Sequence, residues 1–414
     1  MNAVELATIL LAWAFGVHIP LVYTVLGALW TLPALEYASR DDGRYVAAVR
    51  GIARYLIAIY AVGGVFGTII TVFLAGMLPI FTNIAGALLW PVWATAIAFG
   101  VAVALPLIGY WYRTLGRMSP GRHAALGFLT AGFTTVIPLM FRLVFAVVNY
   151  PAGVEVVNDP SSLVGFDLVV RNYWALFSNP TYPPLVLSTL LGAVAFANAL
   201  IVFVYGYSSS NPEVVSVSRK IALAFGSAAA LSGAWYLFEL YYYAPTMAWS
   251  ILGVMPSTVP APLAPVFKPT YSLTAPFVAA VILGLASAAA LLASPRIKSR
   301  ALNVLGLLAS IAAVIDVEEV NLLAHLPYAI IPPVSAAEEL SSQYGVNFAL
   351  TVAKVLSAST MSTTLNALAG FVSADPAILY FSMAFFALFT VLVLVGVYAA
   401  LSWREGAGAP RGGR

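Results

Sequence analysis

His18 is the residue whose type and setting most directly imply chemistry. It lies in the apolar run His18-Ile19-Pro20-Leu21-Val22-Tyr23-Thr24-Val25-Leu26-Gly27. An imidazole at membrane depth is costly and marks a functional site by default, here as a metal ligand. The plainer alternative is a packing histidine bonded to a carbonyl or to water. A second group, Asp316, Glu318 and Glu319, sits toward the end of another apolar run. Three neighbouring carboxylates do not readily all ionise in a low-dielectric setting, so at least one should be protonated or meet water. The favoured reading ends the run near Asp316 and leaves these acids in water. Arg142, inside a further run, requires a buried acid, a partner chain or a route for its head to reach the interface. His325 reads as a polar contact at a helix end, and His123 as a solvated residue at a helix start. With no cysteine, disulfides, thiolate-ligated haem, iron–sulfur clusters and cysteine zinc sites are excluded. A metal would have to be held by His, Met or carboxylate.

The elements that position these residues follow from composition. Hydrophobic residues make up 62% of the chain and charged residues 8%, with a mean hydropathy of +0.94. A soluble domain is usually about a quarter charged, so this is a multi-pass membrane protein in the cell membrane. The run from Ala7 to Trp30 is too long for a cleavable signal, and Glu5 stands where a basic segment would precede one. About 20 apolar residues cross a bilayer as a helix. The runs predict nine spans, near 6–31, 54–79, 84–110, 123–149, 183–207, 219–241, 270–294, 300–331 and 376–402. Strands are not expected, because the runs are continuous and an open sheet leaves unbonded amides in lipid. The fold class is therefore all-α, a polytopic helical bundle. Residues 1–403 form one transmembrane domain and 404–414 a disordered cytoplasmic tail, rich in Gly and Arg.

Orientation follows from the excess of basic residues in inside loops. With the N-terminus out and the C-terminus in, 15 of the 19 Lys and Arg residues fall on one side, from Arg40, Arg44, Arg50 and Arg54 through to Arg404, Arg411 and Arg414. The opposite loops carry Glu155, Asp159, Asp167, Glu338, Glu339 and Asp375. The basic clusters thus report topology and lipid-headgroup contact, not nucleic-acid binding. Two outer segments are more than simple loops: 150–182 is turn-rich, and 332–375 holds an amphipathic stretch from Ser341 to Val372. The Trp and Tyr residues at Trp90, Trp93, Trp111 and Tyr241-Tyr242-Tyr243 read as interface belts.

Several motifs occur in the order found in cytochrome bd oxidase subunit I, and the chain resembles that family. The setting of His18 resembles that of the family's haem-ligand histidine in the first helix. Gly109-Tyr110-Trp111-Tyr112-Arg113-Thr114-Leu115-Gly116-Arg117 is similar to its GWDRLGK, and Asn149-Tyr150-Pro151-Ala152-Gly153 to its QNPIG. His325-Leu326-Pro327-Tyr328-Ala329-Ile330 is similar to RQPWAI, with His325 replacing the arginine, and Leu379-Tyr380-Phe381-Ser382-Met383 to LIFSM.

The resemblance also implies which ligands are missing. Val92 and Gly100 fall where the family sets two glutamates in the third span. Ser188 falls at the low-spin haem's histidine, Thr274 at or near its methionine, and Leu322 at the glutamate before RQPW. The second span, Gly67-Thr68-Ile69-Ile70-Thr71-Val72-Phe73-Leu74-Ala75-Gly76, lacks its glutamate as well. Glu239 and Lys268 are the candidates for the family's quinol-loop acid and lysine.

The resemblance implies a membrane subunit of a quinol:oxygen oxidoreductase, most like the degenerate second subunit-I-like chain of archaeal bd-type complexes. Such a chain pairs with a haem-bearing subunit I homologue, shields its haems from lipid and water, and meets quinol only as part of the complex. It would bind at most one haem, through His18, or none. The small residues Gly192, Ala193, Ala195, Ala197 and Ala199 would permit close helix contact at such an interface. Two alternatives stand beside this reading. One is a haem-binding subunit with relocated ligands, His18 with Glu318 or Glu319. The other is a transporter using the acidic group and Arg142, against which the halves show no repeat.

Overall fold

The computed structural model describes residues 3–77, 88–158, 166–206, 211–297, 299–328 and 330–356, with single residues at 384, 387, 388 and 391. Eight helices among them are long and apolar enough to cross a membrane, and the protein is a multi-pass integral membrane protein. They are α1 (Ala3–Ala38), α2 (Val46–Met77), α3 (Trp90–Thr114, π-helical over Ala96–Val103), α4 (Pro120–Asn149), α5 (Tyr182–Leu200, continued by a π turn over Ile201–Tyr205), α6 (Pro212–Tyr243), α7 (Thr274–Ala293) and α8 (Arg300–Leu323). Of the expected ninth span, 376–402, only residues 384, 387, 388 and 391 are described, and the tail 404–414 lies outside the described residues.

Local sequence explains where the helices begin. Asn211 accepts a hydrogen bond from the Val214 amide and is followed by Pro212, which suits a first turn whose amides lack partners. The Ser299 hydroxyl accepts from Leu302 in the same way. Inside the bundle α1 is the central element, packing on α2, α4, α5 and α8. Gly27 makes its closest approach possible, since a Cβ there would lie 2.0 Å from the Ala193 carbonyl of α5. Polar side chains then tie the helices where lipid offers no competing partner. Asn198 donates to Thr31 at 2.7 Å, Trp30 to Thr135 at 3.0 Å, and Ser287 shares a 2.6 Å hydrogen bond with Ser310.

The structure corrects five expectations. α8 ends at Leu323 and not near 331, because the chain turns at Leu323–Leu326 and places His325 inside the bundle. That helix also runs seven residues past Asp316, so the acids lie on it and not beyond it. The segment after α4 forms an antiparallel hairpin, β1 (Val154–Asn158) with β2 (Phe166–Val170), which has its amides paired outside the spans. His123 is fully buried, not solvated: Glu36 and the Trp111 carbonyl take both its ring nitrogens, at 2.5 and 2.8 Å. The small residues of α5 face α1 and α6 within the chain, Gly192 against Tyr23 and Ala195 against Gly226, so they are spent on internal packing. Short helices also fold over the bundle end, at Pro245–Leu252, Ala264–Phe267, Val334–Tyr344 and Val346–Leu356.

Candidate functional site

Arg142, Phe145 and Asn149 are spaced i, i+3, i+7 on α4, and so share one face. Glu318, Asn321 and His325 repeat that spacing on α8 and the turn after it. The two faces oppose each other. Arg142 Nη2 donates to Glu318 Oε1, and both side chains are about 9% exposed. Tyr23 of α1 donates its hydroxyl to the same oxygen at 2.6 Å. Arginine does not lose its proton in a protein, so the pair is a buried ion pair with a third hydrogen bond on the acid. This is the buried acid that Arg142 required.

A second polar group lies two turns further along. His325 places Nε2 2.5 Å from Asn149 Oδ1 and Nδ1 3.0 Å from the Asn321 carbonyl. Asn149 donates to the Tyr236 hydroxyl of α6 at 2.8 Å, and Tyr236 donates to Asn321 at 2.9 Å. Phe145 separates the groups, its ring 6.0 Å from the His325 ring and 5.8 Å from the Arg142 guanidinium carbon. Burial holds the His325 imidazole well below its usual 6.5, at about 4. Tyr23, Tyr236 and Asn321 do not stand out as site residues in the sequence. The matched i, i+3, i+7 spacing on two runs was the signal that could have found Asn321.

His18 is placed differently. Its Nδ1 lies 2.9 Å from the Gly63 carbonyl of α2, which can only accept, so Nδ1 carries the proton and Nε2 keeps its lone pair. A Cβ at Gly67 would lie 3.0 Å from the ring. Gly16, two residues earlier and so about 200° around the helix, faces Ile315 and Glu319 instead. The structure therefore brings His18 together with α2, and Glu318 and Glu319 with other faces of α1. Glu319 Oε2 is buried with no hydrogen-bond partner among the described residues. No group of three or more His, Asp or Glu residues with metal-binding spacing occurs among them.

The positions that the resemblance marks as former ligands are filled by packing. A Cβ at Gly100 would run into Ile137 of α4. Val92 is buried against Leu143, Val144 and Val147, and the Ser188 hydroxyl donates to its own helix at Leu185, 2.9 Å away.

A family model described as cytochrome bd terminal oxidase subunit I matches residues 6–240. Among solved structures, the bd oxidase from Geobacillus thermodenitrificans is similar over 96% of this chain and 98% of that one, with a TM-score of 0.69 and 17% identity. At that identity the likeness is one of fold. No curated protein matches the sequence.

Proposed function

The chain belongs to the cytochrome bd terminal oxidase subunit I family, and from that premise we propose that it is the ligand-poor member of a bd-type quinol:oxygen oxidoreductase. In this reading a haem-bearing subunit I homologue supplies the oxygen chemistry and the quinol site. This chain completes the pair and screens the partner's cofactors from lipid and water. The arrangement is that of the archaeal complexes the sequence resembles, a heterodimer in which one chain has degenerate haem sites.

The observation that carries the proposal is the fate of Glu318. It is a buried carboxylate about one helical turn from the lost ligand position at Leu322, and its Oε1 is taken by Arg142 and Tyr23. An acid held this way balances a cation and is a poor iron ligand. Haem is the group the family implies, and the residues fit it at one point. His18 keeps a lone pair on Nε2 with no hydrogen-bond partner among the described residues, while its Nδ1–H is anchored on a backbone carbonyl, the second-shell pattern that orients metal-bound histidines. Gly100, Val92 and Ser188 do not fit. A haem held by His18 would supply an iron centre with one protein ligand, and the chain contributes the anchor that orients it. Glu319, on the other side of α1, is left as a candidate without a matching histidine.

The test is a reduced-minus-oxidised optical spectrum with haem quantification, on the chain purified alone and on native membranes. The expected result is at most one haem per chain, lost on His18→Ala, with co-purification of a haem-rich homologue from native membranes. Two or more haems, or quinol oxidation by the chain alone, would overturn the reading.

A further inference from the structure

The ring His325–Asn149–Tyr236–Asn321 contains a conflict that only a proton or an amide rotation resolves. Both nitrogens of His325 face oxygens, Asn149 Oδ1 and the Asn321 carbonyl. A neutral imidazole has one N–H and cannot donate to both. The Asn321 carbonyl cannot donate, so the N–H belongs on Nδ1 and the lone pair on Nε2. Nε2 then needs a donor, and the Asn149 amide provides one by turning over, because its O and N ends have nearly the same shape.

Turning Asn149 reverses the bonds beyond it. Its Oδ1 then accepts from Tyr236, and the Tyr236 oxygen accepts from a turned Asn321. When His325 carries a second proton the sense runs the other way: His325 donates to Asn149, Asn149 to Tyr236, and Tyr236 to Asn321. Each sense satisfies the ring bonds, and the two differ by one proton on Nε2.

We propose that His325, Asn149, Tyr236 and Asn321 form a proton-binding site at the end of the bundle where α4, α6 and α8 finish, and that binding reverses the direction of the hydrogen-bonded ring. One proton from solvent binds Nε2, and no other covalent bond changes. Because the ring's members come from three helices, the proton-bound and proton-free forms clamp α4, α6 and α8 with opposite amide orientations. Asn and not Asp at position 149 is what makes the device two-way, since a carboxylate can only accept. The Glu36–His123 pair on the other side of the bundle shows the contrast: there an acid faces the imidazole, and no turn can reverse it.

Among the described residues, the charged and titratable groups around the site are few. From α4 comes Arg142, screened by Phe145 and neutralised by Glu318 of α8. From α6 comes Tyr236, and from the turn after α8 comes Tyr328, whose hydroxyl donates to the Val266 carbonyl. None places a negative charge on the imidazole. Burial accordingly favours the neutral form, with a midpoint of about 4, so the site is empty at neutral pH and fills as the medium acidifies.

The experiment is magnetic resonance of isotope-labelled histidine nitrogens in the full chain in lipid nanodiscs, followed from neutral to acidic pH, with the His325 signal assigned by its loss in His325→Gln. At neutral pH the expected His325 signal is a neutral ring with its proton on Nδ1. On acidification both nitrogens become protonated in one step, and Asn149→Asp raises that midpoint by about one unit or more. A neutral ring protonated on Nε2, or a doubly protonated ring at neutral pH in the unaltered chain, would overturn the proposal without any variant having to fold. So would an Asn149→Asp protein that folds and titrates unchanged.

Discussion

Arg142 on α4 and Glu318 on α8 neutralise one another inside the membrane, 176 residues apart in sequence, and Tyr23 of α1 joins them on the same carboxylate oxygen. Three spans are thereby tied at one point, where neither charge has water to fall back on. Removing one partner leaves the other charge buried and unpaired, whereas removing both leaves an apolar contact. Glu318→Leu and Arg142→Met should each destabilise the chain by about 3–5 kcal/mol. The double variant Arg142→Met/Glu318→Leu should recover most of that loss. Thermal unfolding in detergent, run as a double-mutant cycle, measures it, and purely additive losses would show that the two residues do not act as a pair.

Much of this arrangement was legible in the sequence, and the illegible part has a physical cause. The eight described spans and their order follow from hydropathy, since lipid demands continuous apolar helices. Arg142 announced that it needed an acid. What hydropathy does not register is the partner, because Glu318 lies four spans away and an acid two residues past Asp316 looks like a helix end meeting water. The burial of His123 is hidden from the sequence for a related reason. A histidine beside Arg122 at a basic helix start looks solvated until Glu36, at the other end of a different helix, is folded onto it. The turn after Leu323 was hidden as well, because its residues are apolar enough to prolong a span.

Gly100 sits against Ile137 of α4 with no room for a side chain. A glutamate placed there would need the space that Ile137 fills, so Gly100→Glu alone should be destabilising by several kcal/mol, through overpacking and a buried unpaired acid. Adding Ile137→Ala should relieve the overpacking and recover part of the loss. Folded yield and melting temperature of the single and double variants are the readouts. If Ile137→Ala gives no relief, the closure is not made by that side chain.

The crossing of α1 and α5 depends on Gly27. An alanine there would press its Cβ into the Ala193 carbonyl, a backbone atom that cannot rotate away, and Gly27→Ala should cost at least about 1–3 kcal/mol. Gly284 of α7 has nothing within 4 Å of a built Cβ. Gly284→Ala should therefore be neutral or stabilise the helix by up to about 1 kcal/mol. Unfolding of the two variants side by side separates steric closure from helix propensity. Equal effects would mean that backbone entropy governs both.

The pH dependence of stability should carry the signature of His325. Its imidazole titrates at about 4 in the folded chain, against 6.5 for an exposed histidine. Between those values the unfolded chain binds a proton that the folded chain does not. This contribution is therefore fully present above about pH 6.5 and is lost as pH falls toward 4, by on the order of 3 kcal/mol. His325→Gln keeps a side-chain amide for Asn149 but cannot titrate, so the difference in stability between the unaltered chain and this variant should shift across that window and level off on either side of it. Melting curves at intervals from pH 4 to pH 7 give that difference directly. A difference that stays flat would mean that His325 binds its proton equally well folded and unfolded, and that burial between α4 and α8 does not control it.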